Sequence, residues 1–151
     1  GRYDDALFRL LANLAQIGVK CRAQPNTYLQ LQERAARGET QILLQGWTLD
    51  RPDAAMAFTL FHSENRGTSV NLSQFSDPAY DELYQRLRGE ADPAARAALA
   101  AALARILNDR VPAIPLDHKV GYVLLQPWLS GAASHSFDLI ACKFYRLVDR
   151  P

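Results

Sequence analysis

Apolar residues recur along the start of the chain with the period of a helix. Between Asp4 and Ile17 the positions Leu7, Leu10, Leu11, Leu14 and Ile17 fall three and four apart and line one face, and Gly18 supplies the left-handed residue that stops a helix. The pattern then changes. Val19-Lys20-Cys21-Arg22-Ala23 alternates apolar and charged, as a strand with one buried face does, and Pro25-Asn26 ends it. Thr27 is placed to cap a second helix running through Leu29, Leu31 and Ala35 to Gly38, and Ile42-Leu43-Leu44 has the continuous apolar character of a buried strand. Two strands joined by a helix of this length are expected to lie parallel with a right-handed crossover. The opening helix lacks the strand that normally precedes it, so either the fold begins oddly or the chain begins late.

Further along, Asp50 to Ser63 reads as a turn leading into a short helix, and Glu64 to Gln74 as a polar loop. Ser76-Asp77-Pro78 starts a helix with proline in its first turn. Tyr80, Leu83, Tyr84 and Leu87 form its buried stripe, and Gly89 closes it. Asp92-Pro93 repeats the start signal for an alanine-rich helix to Asn108 that buries Leu99, Leu103, Ile106 and Leu107. Beyond Pro112, residues 114–116 and 120–125 look extended, Pro127-Trp128 breaks them, and Phe144 to Val148 offers a last strand. The pattern as a whole predicts an α/β chain.

Composition narrows this picture. A length of 151 residues with 48% apolar content fits one domain with its own core and excludes disorder. Seventeen Lys and Arg against sixteen Asp and Glu leave a charge of +1, so composition gives no basic face to attract nucleic acid or an anionic membrane. No apolar stretch approaches the ~18 residues needed to span a bilayer, so no membrane insertion is expected, and the chain as given carries no targeting signal. Cys21 and Cys142 allow at most one bridge and leave the redox compartment open.

Catalytic chemistry has little to build on. There is no phosphate-cradling glycine loop, no Gly-x-Ser-x-Gly elbow, no His-Glu-x-x-His and no Cys-x-x-Cys. His62, His118 and His135 are too far apart in sequence to indicate a metal site and read as surface or hydrogen-bonded residues. Cys21, alternating with charged neighbours, reads as a small apolar core residue, because a nucleophilic role needs a partner the sequence does not identify. Neither a metal nor a cofactor is expected, and an enzyme is the less favoured reading.

The most informative stretch is Gln45-Gly46-Trp47-Thr48-Leu49-Asp50, because it follows an expected buried strand at the end where α/β sheets gather ligand contacts. Gly46 permits close backbone approach, Trp47 offers a flat apolar surface with one N–H, and Asp50 brings a carboxylate able to hold a cation. A structural role competes: Asp50 or Asp53 can cap the following helix and Trp47 can be core. On these residues alone that role weighs more.

Four segments, taken in order, resemble the C-terminal lobe of the peptide/nickel class of bacterial extracellular solute-binding proteins, the dipeptide and oligopeptide receptors of ABC importers. They are Leu14-Ala15-Gln16-Ile17-Gly18-Val19-Lys20, Gly46-Trp47-Thr48-Leu49-Asp50-Arg51-Pro52-Asp53, Asn71-Leu72-Ser73-Gln74-Phe75-Ser76-Asp77-Pro78-Ala79-Tyr80-Asp81 and Val111-Pro112-Ala113-Ile114-Pro115-Leu116. Each is weak alone, but their joint order and spacing cover nearly the whole chain. The resemblance implies a periplasmic-binding-protein-like lobe, a mixed sheet flanked by helices, that is part of a two-lobed type II receptor closing around its ligand by hinge motion. It implies residues 1–131 as the ligand-binding lobe and 132–151 as a tail returning to the partner lobe.

On that resemblance Asp50 neutralises the α-ammonium of a peptide. Trp47 and the backbone of Thr48 lie beside the ligand, and Gly46 and Leu49 complete the substrate-binding stretch. The implied protein is periplasmic, binds a peptide or similar small solute and hands it to an ABC permease of the inner membrane, with no catalysis. The segment Arg51-Pro52-Asp53-Ala54-Ala55 lacks the aromatic residue and second proline of many relatives, which leaves the ligand class open. The alternative reading is the ligand-sensing domain of a transcription regulator built on the same fold, marked by an upstream DNA-binding head.

Overall fold

Helices form where the local start and stop signals are strongest. The structure, a computed structural model, describes residues 2–49, 53–118, 124–131 and 145–148. Helix α1 spans Arg2–Gln16, ends in a turn with Gly18 at a φ of 81°, and matches the expected helix closely. Helix α2 (Tyr28–Ala36) carries the full reciprocal cap: Thr27 Oγ1 accepts from Gln30 N at 3.3 Å, and Gln30 Oε1 accepts from Thr27 N at 3.0 Å. Helix α3 (Ala54–Phe58) continues into a short 3₁₀ turn over Thr59–Phe61. Helices α4 (Pro78–Gly89) and α5 (Pro93–Arg110) begin at Asp77 and Asp92, whose side chains accept from backbone N–H groups of the first turns.

The core sits where α3, α4 and α5 meet. Ala55, Tyr80, Tyr84, Leu87 and Leu103 are buried, with Phe58, Phe61, Phe75, Leu83, Leu99, Ile106 and Leu107 packed around them. The aromatic members meet edge-on: Phe75 lies 5.5 Å from Tyr80 and 6.4 Å from Phe61, and Phe58 lies 6.5 Å from Tyr80. The helical stripes of α4 and α5 are therefore the ones their spacing predicts.

The expected sheet is corrected. Residues 19–23 and 42–44 are irregular, and the sheet among the described residues is instead a two-stranded antiparallel ladder near the end of the chain, β1 (Leu129–Ser130) with β2 (Arg146–Leu147), paired Leu129 with Leu147 and Ser130 with Arg146. A strand's backbone groups need a neighbouring edge, which alternation along a single chain does not provide. Cys21 accordingly is not a core residue: its thiol is free and half-buried. The α1 stripe is also less covered than its period implies. Leu7, Leu10, Leu11 and Leu14 are half-buried, and Ile17 remains 74% exposed.

The last expected strand is formed in part, since β2 lies within Phe144 to Val148. Residues 120–123 of the expected extended segment, most of the tail from 132 onward, Cys142 and His135 lie outside the described residues. No described helix is long and apolar enough to cross a membrane.

Candidate functional site

Side chains anchor Gln45, the first residue of the stretch expected to meet a ligand, and Asp53, three positions beyond its last. At its start Gln45 Oε1 accepts from Nε2 of Gln32 at 3.2 Å, and Gln32 is itself buried on α2. Asp53 is the N-cap of α3. Its Oδ1 accepts from Ala55 N at 3.0 Å and from Nη2 of Arg96 at 2.7 Å. Arg96 also donates through Nη1 to the carbonyl oxygens of Leu87 at 3.0 Å and Glu90 at 2.8 Å, so one guanidinium joins the end of α4 to the start of α3.

Between these ties Gly46 and Thr48 are exposed, Leu49 is half-buried and Trp47 keeps 46% of its surface open. Trp47 is therefore not the core residue that a purely structural reading allows. The cap of α3 belongs to Asp53, so that duty does not fall to Asp50. Asp50 itself, with residues 51 and 52, lies outside the described residues. A concavity of about 290 Å³ beside α3 is lined by Asp53, Met56, Tyr84, Arg88 and Arg96 and by none of residues 46–49. The described part of the stretch is an open surface presenting one indole.

A second cluster explains the segment from Asn71 to Asp81. Asn71 is fully buried, and its carboxamide uses every hydrogen-bonding valence. Nδ2 donates to the carbonyl oxygens of His62 at 3.0 Å and Phe75 at 2.9 Å, and Oδ1 accepts from Phe75 N at 3.2 Å and Ser73 Oγ at 2.9 Å. Gln74 stands at a φ of 55°, in the left-handed region, and donates through Nε2 to Ala35 O at 3.0 Å and Ala36 O at 3.1 Å. Those carbonyls belong to the end of α2, so Gln74 fastens that helix to the loop. Asp81 accepts from Ser63 N at 3.0 Å and from the Ser63 hydroxyl. The Tyr80 hydroxyl donates to Phe58 O at 2.7 Å, and burial pushes its pKa far above the ordinary tyrosine value.

His62, the one described histidine that is buried, belongs to this knot. Its Nε2 lies 3.2 Å from the Gln85 amide nitrogen and 3.8 Å from Asp81 Oδ1, and its ring lies 4.8 Å from that of Tyr84. Asp81 is already engaged by Ser63, so this is a packed polar network rather than an acid–base pair facing a cleft. His118 is exposed. Among the described residues no group of three or more His, Cys, Asp or Glu is placed to hold a metal ion.

Sequence reasoning missed Arg96 and the knot. One signal for Arg96 was available: a cation four residues past the N-cap Asp92 sits against the helix dipole, which points to an engagement elsewhere. The roles of Asn71 and Gln74 follow only from the fold.

The chain is 28% identical over 140 residues to the dipeptide-binding protein of Pseudomonas aeruginosa, an alignment covering 93% of this chain and 26% of that protein. It is 30% identical over 129 residues to heme-binding protein A of Haemophilus influenzae, covering 85% of this chain and 23% of the relative. It is 27% identical over 115 residues to the periplasmic murein peptide-binding protein MppA of Escherichia coli, covering 76% and 21% respectively. All three are binding proteins by name, not enzymes, and the chain spans about a quarter of their length. No family model and no solved structure matches the chain.

Proposed function

We propose, from the premise that this chain is a relative of bacterial peptide-binding proteins, that it forms part of one lobe of a two-lobed solute receptor. The receptor takes up peptides or similar small solutes between its lobes and passes them to an ABC permease of the inner membrane. The observation that carries this reading is the similarity to a dipeptide-binding and a murein peptide-binding protein across 93% and 76% of the chain. A periplasmic location is proposed on the same ground, one of these relatives being periplasmic by name.

The open surface of Trp47 and the assignment of the α3 cap to Asp53 support a ligand role for the 46–50 stretch. Asp50 neutralises the ligand's α-ammonium, Trp47 lies against its apolar part, and Gly46, Thr48 and Leu49 supply backbone beside it. A charged hydrogen bond of this kind contributes about 1.5–3 kcal/mol net. Residues 1–131 form the lobe, and 132–151 return toward its companion.

The test is calorimetric titration of the full-length protein with di- and tripeptides, each offered with a free and with an acetylated amino terminus. Asp50→Asn is expected to weaken the free peptides by about 1.5–3 kcal/mol and to leave the acetylated ones nearly unchanged. Equal losses for both kinds would reduce Asp50 to a structural residue. The similarity to heme-binding protein A makes haem the competitor to include, and displacement of peptide by haem would widen the ligand class.

A further inference from the structure

The concavity beside α3 is separate from residues 46–49 and holds polar groups that the fold itself does not use. Its volume of about 290 Å³ lies just under the ~300 Å³ at which small-molecule sites begin. Ala55 and Met56 give it an apolar side, and Asp53, Tyr84, Arg88 and Arg96 a polar one. Arg96 is committed elsewhere: it donates to Leu87 O, Glu90 O and Asp53 Oδ1, and the Asp53 carboxylate balances its charge. Arg88 is exposed, stands with its guanidinium carbon 6.0 Å from the centre of the Tyr84 ring, and pairs with no carboxylate among the described residues. Tyr84 supplies a second unused group. It is only 6% exposed, yet its hydroxyl, unlike that of Tyr80, makes no hydrogen bond among the described residues. No polar side-chain atom among them is both sealed from solvent and without a partner, so this hydroxyl opens into the concavity that its ring lines.

Charge selects the occupant. Two arginines against one aspartate leave the lining with one positive charge, which a carboxylate cancels and a nearly dianionic phosphate exceeds. A carboxylate also has two acceptor oxygens, enough to meet a guanidinium and a phenol together. We propose that this concavity is a second binding site, for a small monocarboxylate whose oxygens accept from Arg88 and the Tyr84 hydroxyl and whose carbon part lies on Ala55 and Met56. The site is independent of the receptor function above, since none of residues 46–49 lines it and its ligand needs no amino group. Arg88 already rests near the Tyr84 ring, so little of its freedom is lost on binding.

The experiment titrates the full-length protein with benzoate, and with benzamide as its uncharged counterpart, by saturation-transfer-difference NMR. Benzoate is expected to bind with a dissociation constant on the order of 1 mM, and benzamide about tenfold more weakly. Arg88→Gln should weaken benzoate about fivefold, as loss of an exposed charged partner does, and Tyr84→Phe about threefold. Arg86→Gln makes the same change on the same helix outside the lining, and should alter affinity less than about twofold. Arg88 is exposed, so Arg88→Gln decides alone if Tyr84→Phe unsettles the core. Absence of benzoate binding, equal binding of benzamide, or equal losses in Arg88→Gln and Arg86→Gln overturns the site. Inorganic phosphate binding more tightly than benzoate overturns the carboxylate class. Dipeptide affinity that falls with benzoate affinity in Arg88→Gln would merge the two sites and overturn the second one.

Discussion

Arg96 and Asp53 stand forty-three residues apart along the chain and are joined by a hydrogen bond of 2.7 Å between Nη2 and Oδ1. The same guanidinium satisfies two carbonyl oxygens at the end of α4, so three helices meet at one side chain. The ion pair by itself is worth little, because Asp53 is 44% exposed and solvent screens it. The larger loss on removing Arg96 is the desertion of the Leu87 and Glu90 carbonyls. Arg96→Ala is therefore expected to lower stability by about 1–3 kcal/mol in urea unfolding followed by circular dichroism. Asp53→Asn should cost less than about 1 kcal/mol. Equal effects from the two would place the energy in the ion pair instead.

The buried carboxamide of Asn71 offers a sharper contrast. All four of its valences are used, and the residue has no exposed surface. Asn71→Asp keeps the shape, removes both donors to His62 O and Phe75 O, and places a charge where no cation answers it. A loss of about 3 kcal/mol or more is expected at neutral pH, shrinking as the pH falls and the carboxyl takes up a proton. A variant as stable as the parent at pH 7 would mean that the loop is held by its backbone alone.

Tyr80 links stability to alkaline pH. Burial, helped by nearby Tyr84 and Asp81, raises its pKa above the ordinary value of 10. Since the unfolded hydroxyl ionises first, the folded state holds more protons above about pH 10, and stability falls as pH rises through that range. Tyr80→Phe removes this slope. It also removes the donor to Phe58 O at 2.7 Å, at an expected cost of about 1–2 kcal/mol at neutral pH. Denaturation midpoints measured at pH 7 and pH 10.5 separate the two effects, and an unchanged alkaline slope in Tyr80→Phe would assign it to another group.

How far the fold was legible depends on the range of each interaction. Thr27, Asp77 and Asp92 announce their helices because a cap bonds to an N–H two or three residues away. The α4 stripe was legible for the same reason, its period being local. The strands expected over 19–23 and 42–44 failed because pairing depends on a distant edge, and the coverage of α1 failed because an apolar face does not name what covers it. In the candidate site, the exposure of Trp47 and whether Asp50 or Asp53 caps α3 were open on sequence alone. Asp53 took the cap only once α3 was seen to begin at Ala54. Asn71 through Asp81 carried much of the family resemblance, and the structure shows Asn71, Gln74 and Asp81 bonding the loop to its neighbours.

The end of α5 stores a cost that a single substitution relieves. Val111 lies at φ 50° and ψ 51°, left-handed, while its N–H completes the helix by donating to Leu107 O at 2.8 Å. A β-branched residue is poorly suited to that region, where the Cβ crowds the following carbonyl at about 1–2 kcal/mol. Glycine removes the crowding and brings back roughly 0.5–1 kcal/mol of unfolded-chain entropy. Val111 is 56% exposed, so little packing is lost with its side chain. Val111→Gly is therefore expected to be neutral to stabilising, by up to about 1 kcal/mol, with the urea m-value unchanged. A loss above about 1 kcal/mol would show that the isopropyl group is covered in the full-length protein, which would make this corner a contact surface.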